Sequence, residues 1–310
     1  MSTLVSDIGR GIFGGQMSIF LYVKKGGRLT FSVVRYLGFI GVHLPMLYAL
    51  LWVLDRGGLE RNLGAAWWAM LFTFIGMRVG MSLAEYLFHR DILHAAPWPW
   101  VNRFYRAHEL HHALTPAKAY AIEKEEQLEA AVFPAYTLLA FWAVFSCLIV
   151  PGQLLIPQVP IYLGGYMAIV SALVDYEIMH AAFHRPYAWW QRYLEHSLPW
   201  VRWMADRAYK YHLMHHECNT CNEAIAGCGY YAVWDKAFKT LKMPKYPLVE
   251  GTLDPREDLE APIASRFIRR LDCAVAIHQA IWKLEESTGQ KLTREEKSKI
   301  VAQKRVRCAL

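Results

Sequence analysis

Residues 130–174 contain no Asp, Glu, Lys or Arg, an uncharged stretch of 45 residues. A helix rising ~1.5 Å per residue crosses a hydrocarbon core of about 30 Å in ~20 residues, so this run is too long for one crossing. The turn-like segment PGQLLIPQVP at 151–160 divides it into two arms, near 129–150 and 159–182. Residues 36–54 are equally free of charge, and a further apolar span from about Ala65 to Phe88 is interrupted by Arg78. That arginine can snorkel or face the protein interior. The pattern predicts four membrane-spanning helices, the last two a hairpin. Buried helices of a soluble protein are the competing reading, but 45 uncharged residues are hard to cover with soluble structure. The 12 tryptophans suit a chain that meets a membrane interface.

The net charge is +7, and the Lys and Arg residues flank the apolar spans rather than forming a stripe with interleaved aromatics. This distribution points to topology and lipid headgroups, not to nucleic acid. Arg10, Lys24, Lys25 and Arg28 lie before the first span, and Arg90, Arg103, Arg106, Lys118 and Lys124 lie between the second and third. The hairpin turn carries no basic residue, and the 55–62 link carries only Arg56 and Arg61. The positive-inside rule then places the N-terminus, segment 89–127 and everything after about residue 185 on the cytoplasmic side. Three regions are expected: a cytoplasmic N-terminal segment 1–30, a membrane and cap domain 31–249, and a charged helical tail 250–310 with a flexible start near Asp254-Pro255. Residues 185–216 mix Trp189, Trp190, Trp200 and Trp203 with basic residues, as amphipathic interfacial helices do. No secretory signal and no disulfide framework are expected.

The chemistry is carried by histidine. Ten of the 13 histidines fall into four clusters: His89 and His94; His108, His111 and His112; His180 and His184; His212, His215 and His216. Positions i, i+3 and i+4 share one helix face, so each H-x2-H-H cluster aims three imidazoles at one point. His180 and His184, at i and i+4, do the same with two. His89 and His94, at i and i+5, diverge by about 140° on a regular helix, so at least one must sit where the helix ends or bends. The clusters lie at the ends of spans or in segments on the cytoplasmic side, where all ten can converge. His43, His196 and His278 are read as ordinary core or surface residues. Ten imidazoles exceed what one metal holds, whereas two six-coordinate ions could share them with positions left for O2 or water. Imidazole suits iron, zinc, copper and nickel, so ligand type alone does not choose among them.

With these clusters the chain resembles the membrane fatty acid hydroxylase and sterol desaturase superfamily. HRDILHAAPWPWVNRFYRAHELHH (89–112) is similar to its first two histidine boxes, and HAAFH (180–184) with HLMHH (212–216) to its third and fourth. WDKAFKT (234–240) is similar to its W-D-x-x-F-G-T segment, with Lys239 where glycine is usual. The resemblance covers about residues 65–245, and the box spacing lies nearest the fatty acid 2-hydroxylase branch. It implies an all-α membrane fold of four transmembrane helices under a cytosolic helical cap. It also implies that His89, His94, His108, His111, His112, His180, His184, His212, His215 and His216 ligate two iron ions, with zinc a possible occupant in purified protein. The implied reaction uses O2 and two electrons on a C–H bond of a lipid that enters from the bilayer. Hydrogen abstraction and rebound give an alcohol; a second abstraction gives an alkene, the desaturase alternative. No HPGG haem motif occurs, so electrons would come from a separate donor of cytochrome b5 or ferredoxin type.

Glu85, Asp175 and Glu177, close to the histidine-bearing span ends, are candidates to orient ligand N–H groups. Cys218, Cys221 and Cys228 are a weaker pattern for a small zinc or redox site, since a lone C-x2-C lacks a second pair. Asn219 and Asn222 offer amides to a bound water or headgroup. A metal or proton transporter is the alternative from another class, but it would place ionisable residues at mid-membrane depth along a path.

Overall fold

The computed structural model describes residues 22–25, 28–31, 33–131, 137–225, 232–245, 251–254 and 258–309. Arg10, Cys228 and Pro255, and the side chain of Cys308, lie outside the described residues. Two four-residue strands, Tyr22–Lys25 (β1) and Arg28–Phe31 (β2), pair antiparallel on either side of the Gly26-Gly27 dipeptide. All other regular structure among the described residues is helical, as the apolar patterning predicts. The chain divides into two units, residues 1–84 with 123–182, and residues 85–122 with 183–310.

The first unit holds the long apolar runs. They form α1 (Val33–Leu54), α3 (Trp67–Phe88, which continues into the second unit), α6 (Thr137–Leu155) and α7 (Ile161–Phe183). Among the described residues these are the four helices long and apolar enough to cross a membrane, making this a multi-pass membrane protein. With no water in the bilayer core, the helix satisfies every backbone donor within its own segment. Leu37, Val53, Phe72, Val144 and Leu148 are exposed, as lipid-facing side chains are. Helix α6 runs through Pro151 to Leu155, so the turn begins five residues later than the sequence suggests. Proline fits the helical φ and removes only one donor, which need not end a membrane helix.

Polar groups join these helices at specific points. Asp55 caps the short α2 (Arg56–Leu63) by accepting from the Gly58 N–H at 2.9 Å, and also accepts from the Tyr162 hydroxyl at 2.9 Å. Asn62, buried, donates to Gln153 at 2.9 Å and accepts from the Leu163 N–H at 3.2 Å. Gln153 accepts in turn from the Ile161 N–H at 2.9 Å. Two side-chain amides thereby satisfy the orphan donors at the start of α7. Arg78 faces the protein and pairs with Asp175 at 2.8 Å. Gly164 is required by close approach, because a Cβ there would sit 2.6 Å from the Thr73 Cγ2.

The second unit is also helical. Helix α3 passes into a single π turn, His89–Leu93, followed by α4 (Asn102–Leu114). Then come α8 (Tyr187–Leu194), α9 (Pro199–Glu217), α10 (Val233–Phe238), α11 (Arg266–Thr288) and α12 (Arg294–Ala309), with α5 (Glu125–Ala131) belonging to the first unit. Pro199 opens α9, where a missing N–H costs nothing. Tyr86, Ala224 and Ile268 form one buried cluster, and Ala96, Val101 and Trp282 another. Cys273 is disulfide-bonded, which the spacing of the cysteines did not predict because pairing needs two thiols brought close in space.

Helix α10 ends at Lys239 with φ +60°, a left-handed position that costs an L-residue about 1–2 kcal/mol. Glycine escapes that cost but loses more chain entropy on folding. Lys239→Gly is therefore expected to raise stability by about 0.5–1 kcal/mol. A higher thermal unfolding midpoint in detergent would show it, and an unchanged or lower one would contradict it.

Candidate metal centre

The π turn resolves the odd spacing of the first pair. Its i→i+5 geometry returns the fifth residue to the same face, where an α-helix would turn it away. The rings of His89 and His94 are 5.1 Å apart between centroids. Helix α4 aims His108, His111 and His112 inward, and the C-terminal part of α9 aims His212, His215 and His216. Two sets of five result. His89, His94, His108, His112 and His215 form the first, and His111, His180, His184, His212 and His216 the second, each with its ring nitrogens within 4.8 Å of one another. Each H-x2-H-H box is thus shared. The outer two members stay together and the middle one, His111 or His215, joins the other set; His112 and His216 stack at 4.2 Å where the sets adjoin. His180 stands one helical turn before His184 on the same helical segment, with its Nδ1 3.2 Å from the Ala131 carbonyl.

For three of the rings, hydrogen bonds fix which nitrogen is available. The Nδ1 of His89 lies 2.6 Å from the Glu223 carbonyl, that of His215 2.8 Å from the Cys221 carbonyl, and that of His184 2.7 Å from the Tyr120 carbonyl. A carbonyl only accepts, so each Nδ1 carries the proton and each Nε2 keeps its lone pair. Those Nε2 atoms crowd together. His108 Nε2 lies 2.9 Å from that of His89, 3.1 Å from that of His94 and 3.1 Å from that of His112. His94 and His215 approach to 3.1 Å, and His184 and His212 to 3.2 Å.

One N–H cannot satisfy three neighbouring lone pairs, but a cation among them can. Ring nitrogens bound at about 2.0–2.1 Å and at right angles around one ion stand about 3 Å apart. The separations here match that. His216 adds a second sign, since neither of its buried ring nitrogens has a hydrogen-bond partner among the described residues. The residues therefore fit two first-row transition ions of the kind that imidazole binds.

Electrostatics keep the donors neutral. Burial lowers the pKa of His94, His108 and His216 well below the ordinary value, and their imidazole neighbours lower it further. Burial first, then its neighbours, brings His112 down to about 3. His184 comes down to about 4 by burial, against the opposing pull of its carbonyl hydrogen bond.

Sequence reasoning did not find the supports of the first set. Glu223 is fully buried, with Oε2 3.5 Å from His89 Nδ1, 3.9 Å from His215 Nδ1 and 4.0 Å from His94 Nε2. Its other oxygen lies 3.2 Å from Arg90. Burial pushes its carboxyl well above the usual carboxylate range, with Arg90 opposing. Asp235, in the WDKAFKT segment, accepts from the N–H of Glu223 at 3.0 Å, the N–H of Ala224 at 3.3 Å, the Thr240 hydroxyl at 2.7 Å and the Tyr211 hydroxyl. It thereby holds the loop whose carbonyls hold His89 and His215. Asn222 has φ +56° and donates to the carbonyls of Tyr211 and Lys242 at 2.8 and 2.7 Å, so its amide is used on backbone within the second unit. The signals were the nearness of Asn222 and Glu223 to the fourth box and the place of Asp235 in the WDKAFKT segment, but nothing in their spacing told which would turn inward.

The three carboxylates singled out from sequence are placed differently. Glu85 accepts from the Ile225 N–H at 2.7 Å, on the same loop. Asp175 is paired with Arg78, and Glu177 is buried. Cys221 is buried, with its Sγ 3.2 Å from the Cys218 carbonyl, while its own carbonyl receives His215.

A helical membrane protein with two buried sets of histidine donors is a two-metal, histidine-lined oxidoreductase. The sequence pattern described as "Fatty acid hydroxylase" matches residues 74–240, more than half of the 310 residues and all ten clustered histidines. The chain belongs to that family. No curated protein and no solved structure matches it.

The lowered imidazole pKa values set a pH dependence. The unfolded chain takes up protons below about 6.5, whereas His184 and His112 in the fold stay neutral down to about 4 and about 3. Because the unfolded state binds more protons across that interval, stability is present above about 6.5 and lost as pH falls toward 4. Metal-stripped protein in detergent is expected to show a falling unfolding midpoint from pH 7 to pH 4.5; a flat profile would contradict buried neutral histidines.

Proposed function

We propose that this chain is an O2-dependent, di-iron lipid hydroxylase, acting on a C–H bond of a fatty acyl chain or membrane lipid. The observation that carries the reading is the pair of five-histidine sets with Nε2 atoms about 3 Å apart, in a family of fatty acid hydroxylases. The first set would hold one iron and the second the other, and bound iron would supply the reductive activation of O2. The balance is one C–H bond, one O2, two electrons and two protons giving one C–OH and one water. Electrons would come from a separate cytochrome b5 or ferredoxin-type donor.

The chain's own part is positional. Backbone carbonyls of Glu223, Cys221 and Tyr120 hold three imidazoles in the tautomer that presents Nε2. Asp235 holds the loop that supplies two of those carbonyls. Burial of the ring nitrogens excludes water that would intercept a reactive oxidant. The exposed apolar faces of α1, α3 and α6 suit a substrate that arrives through the bilayer. Lys and Arg flanking the spans support a cytoplasmic cap, by the positive-inside rule. The H-x4-H and H-x3-H boxes support the fatty acid 2-hydroxylase branch over the desaturases.

The deciding experiment is lipid mass spectrometry of cells expressing the wild type beside a His108→Ala, His112→Ala variant under 18O2. A lipid heavier by one labelled oxygen, made only by the wild type, is expected. A lipid lighter by two hydrogens would move the assignment to desaturation. No difference with iron and reductant supplied, together with absence of iron in the purified protein, would overturn the oxygenase reading.

A further inference from the structure

Helix α11 lies outside the matched family region and contributes no histidine to either set, yet it meets the π turn and its flanks at three points. Ile268, Asp272, Val275 and Trp282 fall at i, i+4, i+7 and i+14, one face of a helix. Ile268 packs on Tyr86, with Leu87 beside it just ahead of the turn, and on Ala224 of the loop after α9. Trp282 packs on Ala96 and Val101 with Ile92 beside it, just behind His94. Its indole N–H donates to the Ala96 carbonyl at 2.8 Å, where Ala96 has φ +44°. Between these anchors Asp272 takes Arg90 in a two-pronged pair, Nε to Oδ1 at 2.9 Å and Nη2 to Oδ2 at 2.8 Å.

Arg90 follows His89 directly and passes the restraint on. Its Nη1 donates to the Thr220 carbonyl at 2.9 Å and to Glu223 Oε1 at 3.2 Å. One buried guanidinium thus ties three pieces together: helix α11, the π turn bearing His89, and the 220–223 loop that receives the Nδ1–H groups of His89 and His215. A planar fork that bonds on both edges resists rotation as well as displacement, which a point charge would not. A lone π turn is a rare conformation and needs such support. In the second set, His184 takes its hold from Tyr120 instead.

We propose that α11 is a mounting strut for the first histidine set, with Asp272 and Arg90 as positioning residues that set where His89 and His215 stand. The proposal rests on the two-metal reading above. It makes the tail after residue 250 part of the metal centre, and it makes the two metal positions separable by a substitution far along the chain from any histidine box.

The test is metal stoichiometry of the purified full chain, stripped and then reconstituted anaerobically with ferrous iron. Wild type is expected to bind two ions. Asp272→Ala is expected to weaken one ferrous site by about 10–100-fold, as loss of an outer partner does, and to leave the other unchanged. Asp272→Asn keeps the shape and loses the charge, so it decides the matter if the alanine variant does not fold, and Asp272→Glu should restore part of the binding. Glu285→Gln, which breaks the tail's own pairs to Lys291 and Lys297, is expected to keep two ions. Two ions bound with wild-type affinity in Asp272→Asn, or equal weakening of both sites with helical content intact, would overturn the proposal. Fewer than two ions in the wild type would instead overturn the two-metal reading, a result visible before any variant is made.

Discussion

The hydrogen bond from imidazole Nδ1–H to a backbone carbonyl is the constraint from which the metal centre follows. Imidazole is ambidentate, and a free histidine presents either nitrogen. Once the carbonyls of Glu223, Cys221 and Tyr120 take the Nδ1 protons, the Nε2 lone pairs must point the other way. They then meet at about 3 Å, a repulsive arrangement for neutral rings alone and a favourable one around a cation. Burial enforces the neutral state by making protonation costly. The fold thus holds neutral nitrogen donors close together, a crowding that a cation among them would relieve.

A second layer explains why those carbonyls stay in place. Asp235 collects two backbone N–H groups and two hydroxyls, which is close to the full capacity of a carboxylate. The loop it holds turns sharply at Asn222, whose short polar side chain tolerates the left-handed conformation and bonds locally. Arg90 secures the same loop from the other side. The asymmetry between the two sets is electrostatic as well. The first has a buried carboxylate, Glu223, and a guanidinium beside it, whereas His184 and His180 of the second lean on neutral carbonyls. Two ions held in such different fields need not have equal affinity or potential.

The membrane unit solves a different problem with the same materials. Its backbone is satisfied helix by helix, and buried polar side chains serve where a helix starts or where two helices must be registered. Asn62, Gln153 and Asp55 serve the first purpose, and Arg78 with Asp175 the second.

Much of this was legible in the residues. The four spans followed from charge-free length, because a bilayer fixes the length of a helix and forbids unpaired charge. The grouping of ten histidines followed from helical periodicity, and even the misfit of His89 with His94 announced a break in the α-helix. What the sequence could not decide was how the boxes divide. His111 parts from His108 and His112, and His215 from His212 and His216, because neighbouring positions on one face lean toward different partners once helices cross. Nor could it show that Asp175 would be taken by Arg78, or that Glu223, Asp235 and Asp272 would support the site. Their roles depend on contacts between residues up to 182 positions apart. Local periodicity dictates which way a side chain faces along its own helix; only the packing of one element on another determines what it meets there.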